Sequence, residues 1–212
     1  MSSLILPFDC ETGGLVKETS DLLTAYFGIF DENFNKIDEL DLKVKPDGGR
    51  LPITEAGALR ANGIDIAKHM ADPETITYSE AKEKLVAFLK KHLKKNGRYS
   101  NLVPLGHNVP FDIGYVQQYI LSPEEWQSMI HYGILDTKSY AELFKRAGWL
   151  PPNVGTLTSC VEALGVAKRN AHNAKEDTLM CVDVFRAMLQ MMKTNKGGSG
   201  QTQDLISLLE EM

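Results

Sequence analysis

No run of apolar residues in this 212-residue chain is long enough to span a membrane. The N-terminus lacks a basic stretch leading into an apolar run and a small-residue cleavage site, so no membrane association is expected. Cysteine is scarce. Cys10, Cys160 and Cys181 show no CxxC spacing, which argues against a disulfide framework or a zinc site and fits a reducing, cytoplasmic compartment. Positive charge is short as well. With 23 Lys and Arg against 28 Asp and Glu, the net charge of −5 excludes a broad basic surface that coats nucleic acid. No internal repeat is visible. What is present, 43% hydrophobic and 24% charged residues, suits one globular domain of ordinary size.

The chain is organised around residues 4–15, LILPFDCETGGL. The apolar run Leu4-Ile5-Leu6-Pro7-Phe8 predicts a strand buried on both faces, and Thr12-Gly13-Gly14 ends it as a turn. Side chains two apart on a strand point the same way, so Asp9 and Glu11 project together. Two carboxylates at the end of a buried strand repel each other and are expensive to desolvate, which a cation between them would relieve. Cys10 faces the opposite side, as a core thiol.

Residues 24–30 and 37–44 read as further strands, with a hairpin turn from Asp31 onward, so the first three strands form an antiparallel meander. Residues 46–71 read as a long connection with short helical turns. Ser79 is expected to cap a helix to about Asn96, with Leu85, Phe88, Leu89 and Leu93 inward and Gly97 as its stop. Its lysines (82, 84, 90, 91, 94 and 95) read as a solvated face rather than a nucleic-acid patch. A strand at 102–105, a helix to about 121, a helix at 123–130, a strand at 134–137 and helices at 138–147, 156–164 and 173–193 follow. The expected architecture is α/β: a mixed five-stranded sheet, the meander followed by two parallel strands, flanked by helices. Residues 1–193 form the domain, 194–203 (TNKGGSGQTQ) a flexible linker, and 204–212 (DLISLLEEM) a short amphipathic tail.

Two further aspartates sit oddly. Asn108 is a suitable N-cap with Pro110 in the first turn, which puts Asp112 on the stripe of Tyr115, Val116, Tyr119 and Ile120. Asn173 with Glu176 has capping-box spacing and puts Asp177 on the stripe of Met180, Cys181, Val184 and Met188. One acid near a helix N-terminus has a plain explanation in the helix dipole. Two of them, added to Asp9 and Glu11, point to a cation site. His172, one residue before the Asn173 cap, is then a candidate general base.

Four carboxylates suit hard cations, Mg²⁺ or Mn²⁺, rather than zinc. Two such ions clamp the attacking and leaving oxygens of a phosphoryl displacement by water. FDCETGGL, GHNVPFD and the His172-x-x-x-x-Asp177 spacing resemble the three motifs of the DEDDh exonuclease family, over about residues 4–190. The resemblance implies an RNase H-like fold and a 3′-to-5′ exonuclease that uses two Mg²⁺ or Mn²⁺. Asp9, Glu11, Asp112 and Asp177 match its metal-binding acids, and His172 its base. It also implies that Thr12 and Leu15 hold the 3′-terminal nucleotide, Leu15 as an apolar wedge. His107 and Asn108, in the second motif, are further candidate substrate contacts.

The expected partner is the 3′ end of single-stranded DNA or RNA, with nucleoside 5′-monophosphates as products. An oligoribonuclease-like enzyme for very short RNAs is the nearest alternative, which the acidic charge mildly favours. A reading of another class is an exonuclease-fold subunit recruited to a polymerase or clamp through 204–212, where Leu205, Leu208 and Leu209 have groove-docking spacing. Monomer and homodimer are equally open.

Overall fold

The computed structural model describes residues 3–169 and 173–195. His172 and the tail at 204–212 lie outside them, as does all of the proposed linker beyond Asn195. The first nine-residue strand, β1 (Leu4–Thr12), pairs antiparallel with β2 (Leu22–Phe30), which pairs antiparallel with β3 (Lys36–Lys45). This is the expected meander. A 3₁₀ turn and two short helices, α1 (Ala56–Asn62) and α2 (Ile66–Ala71), fill the long connection. Next come β4 (Thr75–Thr77), α3 (Tyr78–His92) and a two-stranded ribbon, β5 (Lys95–Asn96) with β6 (Tyr99–Ser100). β7 (Leu102–Gly106), α4 (Val109–Tyr119), α5 (Pro123–Met129), β8 (Leu135–Asp136), α6 (Thr137–Arg146), α7 (Leu157–Ala163) and α8 (Ala174–Asn195) complete the order.

The sheet has six strands, β4-β3-β2-β1-β7-β8, where five were expected. The extra strand is β4, three residues parallel to the β3 edge at Lys43–Lys45 and too short to leave a periodic signature. β7 runs parallel to β1, and β8 parallel to β7. Leu6, Phe8 and Cys10 point from β1 into the core shared with α3 and α4. Ile5 points to the other face, against Cys181, Val182 and Phe185 of α8. Among the described residues no helix is long and apolar enough to cross a membrane.

Four local expectations change. The cap of α3 is Thr77, in a capping box with Glu80, rather than Ser79, because Tyr78 is already helical. That helix ends at His92. Gly97 takes φ +59° in the β5–β6 turn and stops no helix, so Lys94 leaves the helix for the connection after it and Lys95 for the ribbon. Asn108 holds the N-cap position of α4 but makes no side-chain cap; it adopts φ 72°, ψ 43°. Finally, α8 continues two residues past the expected boundary, to Asn195.

Candidate metal centre

The site is built where β1 outruns its neighbour. Strand β7 pairs with β1 only as far as Pro7 with Leu105, while β2 continues alongside Asp9, Cys10 and Glu11. The β7-side edge of β1 is therefore open beyond Pro7, and a buried strand amide there needs a partner. Asp112 supplies it: the Cys10 N–H donates to Asp112 Oδ1 at 3.0 Å. Asp112, in the first turn of α4, is 3% exposed, as its place on the core stripe predicts.

Alternation puts Asp9 and Glu11 on the α8 face of the sheet, opposite Phe8 and Cys10. There they meet Asp177 from the first turn of α8. Carboxylate oxygens of Asp9, Glu11 and Asp177 all lie within 4.8 Å of one another, and each residue is half-buried. The start of α8 is fixed by Asn173, whose Oδ1 accepts from the backbone N–H of Lys175 (3.1 Å) and Glu176 (3.3 Å).

The electrostatics of this cluster are unfavourable without a cation. Burial raises the Asp9 carboxyl well above the usual range, and Asp112, Glu11 and Asp177 add to the rise. Glu11 is pushed up to about 7 by burial and then by Asp177. Burial likewise pushes Asp112 up to about 8, against the pull of the Cys10 amide. The donors are carboxylate oxygens, the ligand type that Mg²⁺ and Mn²⁺ prefer. The cluster fits such ions.

The loop between β1 and β2 is held from below. The Tyr115 hydroxyl donates to the Gly14 carbonyl (2.8 Å) and lies 2.6 Å from Ser20 Oγ. The Tyr119 hydroxyl lies 2.7 Å from the carbonyls of both Lys17 and Ser20. Gly13 donates to the Asp21 carbonyl (2.7 Å) and accepts from the Glu55 N–H (2.6 Å), so a Cβ at Gly13 would run into the Ile53 carbonyl oxygen. Thr12 is buried, with its hydroxyl donating to the Gly14 carbonyl (2.7 Å). From this frame Leu15 projects, 81% exposed.

The structure thus brings together Asp9, Glu11 and Asp177, with Asp112 anchored beside them and Thr12 and Leu15 on the adjoining turn. His107 and Asn108 have internal partners. The His107 ring nitrogens lie 3.0 Å from Thr137 Oγ1 and 3.2 Å from the Gly155 carbonyl, and burial lowers its pKa, so the ring is a neutral brace. The Asn108 N–H donates to Asp136 Oδ1 (2.8 Å), while its side-chain oxygen accepts from Lys138 Nζ (3.3 Å). Sequence reasoning missed Tyr115 and Tyr119 as loop braces, having placed them only on an apolar stripe. A tyrosine on such a stripe needs a partner for its hydroxyl, which was the available signal.

The fold is shared with part of exonuclease I. A zinc-bound complex of E. coli exonuclease I with single-stranded DNA matches with TM-score 0.70 and 20% identity, over 93% of this chain and 42% of that one. The E. coli enzyme in complex with a dT13 oligonucleotide matches with TM-score 0.68 and 20% identity, over 88% of this chain and 40% of that one. A moderately thermophilic exonuclease I from Methylocaldum szegediense matches with TM-score 0.68 and 17% identity, over 89% and 40%. The present chain therefore spans about two fifths of the length of these exonuclease I structures. No protein-family model and no curated protein matches it.

Proposed function

We propose that this protein is a 3′-to-5′ exonuclease that hydrolyses the terminal phosphodiester of single-stranded nucleic acid with water and releases nucleoside 5′-monophosphates. The observation that carries this reading is the convergence of Asp9, Glu11 and Asp177 at the open end of β1, with Asp112 tied to the same strand. That exonuclease I, of the same fold, has been captured with single-stranded DNA supports the choice of substrate.

In this reading Asp9, Glu11, Asp112 and Asp177 hold two divalent cations, Mg²⁺ or Mn²⁺. When bound, these ions lower the pKa of the attacking water and stabilise the departing 3′ oxygen. The residues of the chain do the rest. His172, five residues before Asp177 in sequence, takes the proton from the attacking water. Leu15, exposed on a braced turn, packs against the terminal base, and the buried Thr12 keeps the turn in register with Glu11. Residues 1–193 carry the activity, and 194–203 tether the 204–212 tail.

The test uses 5′-labelled single-stranded DNA and RNA with Mg²⁺ or Mn²⁺, a 3′-blocked version of each, and Asp9→Ala. A ladder that shortens from the 3′ end, and is lost with the block, with chelator and in the variant, is expected. Cleavage that survives the 3′ block or Asp9→Ala, or no cleavage of either strand, would overturn the assignment.

A further inference from the structure

A carboxylate cluster repels a polyanion, and a chain of net charge −5 has little general affinity to offset that. Most cations on the described surface are also spoken for. Within the lysine-rich stretch of α3, Lys82 pairs with Glu125 (2.7 Å) and Lys91 with Asp38 (2.8 Å). Lys84 and Lys90 of that helix are in no ion pair with a described residue, but the β5–β6 ribbon and the residue before it gather more such cations. Lys94, Lys95 and Arg98 fall within five residues and are exposed, and none is in an ion pair with a described residue.

These cations border a ladder of rings. His131 and Tyr132 stack with centroids 4.6 Å apart, Tyr99 lies 5.6 Å from Tyr132, and the Arg98 guanidinium sits 5.0 Å over the Tyr99 ring. Tyr132 is 78% exposed and Tyr99 42%. The ladder separates two adjoining cavities, of about 660 Å³ towards Trp126 and Ile130 and about 220 Å³ towards Lys94. Neither is lined by a single carboxylate, although Asp and Glu outnumber Lys and Arg in the chain. Helix α4 borders both regions, carrying Asp112 to the acidic cluster and Ile113 and Gln117 to the groove wall.

We propose that this groove is a second binding site for single-stranded nucleic acid. Bases stack on Tyr132 and Tyr99, and Lys94, Lys95 and Arg98 meet the phosphates. Exposed flat rings interleaved with cations free of ion pairs suit a flexible polyanion that carries a stackable base on every unit better than an acidic peptide, whose charged residues carry no ring. The assignment of the strand as the one whose 3′ end is hydrolysed rests on the proposed exonuclease reading; the groove's affinity does not.

The test is fluorescence anisotropy of 5′-fluorescein dT15 with the full chain in EDTA, where no metal-dependent cleavage occurs. Tyr132→Ala is expected to weaken binding about tenfold, the loss of one stacked base. Arg98→Ala is expected to flatten the slope of log K against log salt by about 0.7. Both variants should keep the wild-type kcat/KM on thymidine 5′-monophosphate p-nitrophenyl ester, a substrate too small to reach the groove. Unchanged dT15 affinity and salt slope in both variants would overturn the proposal and leave the groove to a protein segment. If wild-type chain binds dT15 through Tyr132 but never cleaves the ester, the groove stands and the exonuclease reading falls.

Discussion

The backbone N–H of Cys10 donates to Asp112 Oδ1 at 3.0 Å, stitching the first turn of α4 to β1 between Asp9 and Glu11. Two substitutions separate the structural and chemical parts of this contact. Asp112→Asn keeps an oxygen acceptor while removing a charge that burial disfavours. Its melting temperature in chelator at pH 8 is expected to equal or exceed that of the wild type, while strand hydrolysis falls at least ~100-fold. Asp112→Ala leaves the Cys10 amide unpaired and is expected to lose about 1–3 kcal/mol as well. Chemical denaturation beside the nuclease assay distinguishes the two.

The acidic cluster makes stability depend on pH. Glu11 titrates at about 7 in the folded chain, against 4.5 for an unperturbed carboxyl. Between those values the folded state holds more protons than the unfolded one, so stability contributed at low pH is lost as pH rises through the window. Divalent cations held by the cluster would bind its deprotonated acids and reverse the loss. The gain in melting temperature on adding Mn²⁺ should therefore be larger at pH 8 than at pH 5. Equal gains at both would count against the cluster as a cation site.

Asp21 and Arg50 brace the same region from the other side. Asp21 is 1% exposed and meets both Arg50 nitrogens, at 2.7 and 2.8 Å, and the Ile53 N–H at 2.6 Å. Burial alone would raise its pKa, but Arg50 and the Ile53 amide outweigh it and hold the carboxyl below the usual range. Stability from this pair is present above the unfolded pKa and lost as pH falls through the folded one. Arg50→Ala is expected to destabilise the protein by about 1–3 kcal/mol at pH 7. The difference from wild type should shrink in acid, as thermal melts across pH would show.

Leu15 carries little of the fold. Exposed as it is, Leu15→Ala should change stability by less than about 0.5 kcal/mol. If the side chain packs on the terminal base, strand hydrolysis should drop by about tenfold, the worth of burying most of a leucine. Unaltered kinetics on a labelled strand would remove Leu15 from the substrate contacts.

The meander, the helix that carries Asp112 and the start of α8 were legible from local patterns. Apolar alternation, turn residues and helix-start signals act over a few residues, and all three survive in the structure. So did the pairing of Asp9 with Glu11, because a strand's period of two leaves no other arrangement. The N-cap of α3, by contrast, lay two residues earlier than expected, because Glu80 three residues on closes a capping box with Thr77, a local signal that Ser79, followed by Lys82, lacks.

By itself the sequence determined which acids stand on the core-facing sides of their elements, since the periods of strand and helix decide that locally. Only the tertiary structure decided that these acids meet. β7 stops short and opens an edge for Asp112, and α8 lies across the face that presents Asp9 and Glu11. The β4 edge strand, the neutral brace at His107, the Asp21–Arg50 strut and the ring ladder at Tyr99, His131 and Tyr132 were settled the same way. Each joins segments distant in the chain through contacts that no local period encodes, and long-range packing alone supplies their partners.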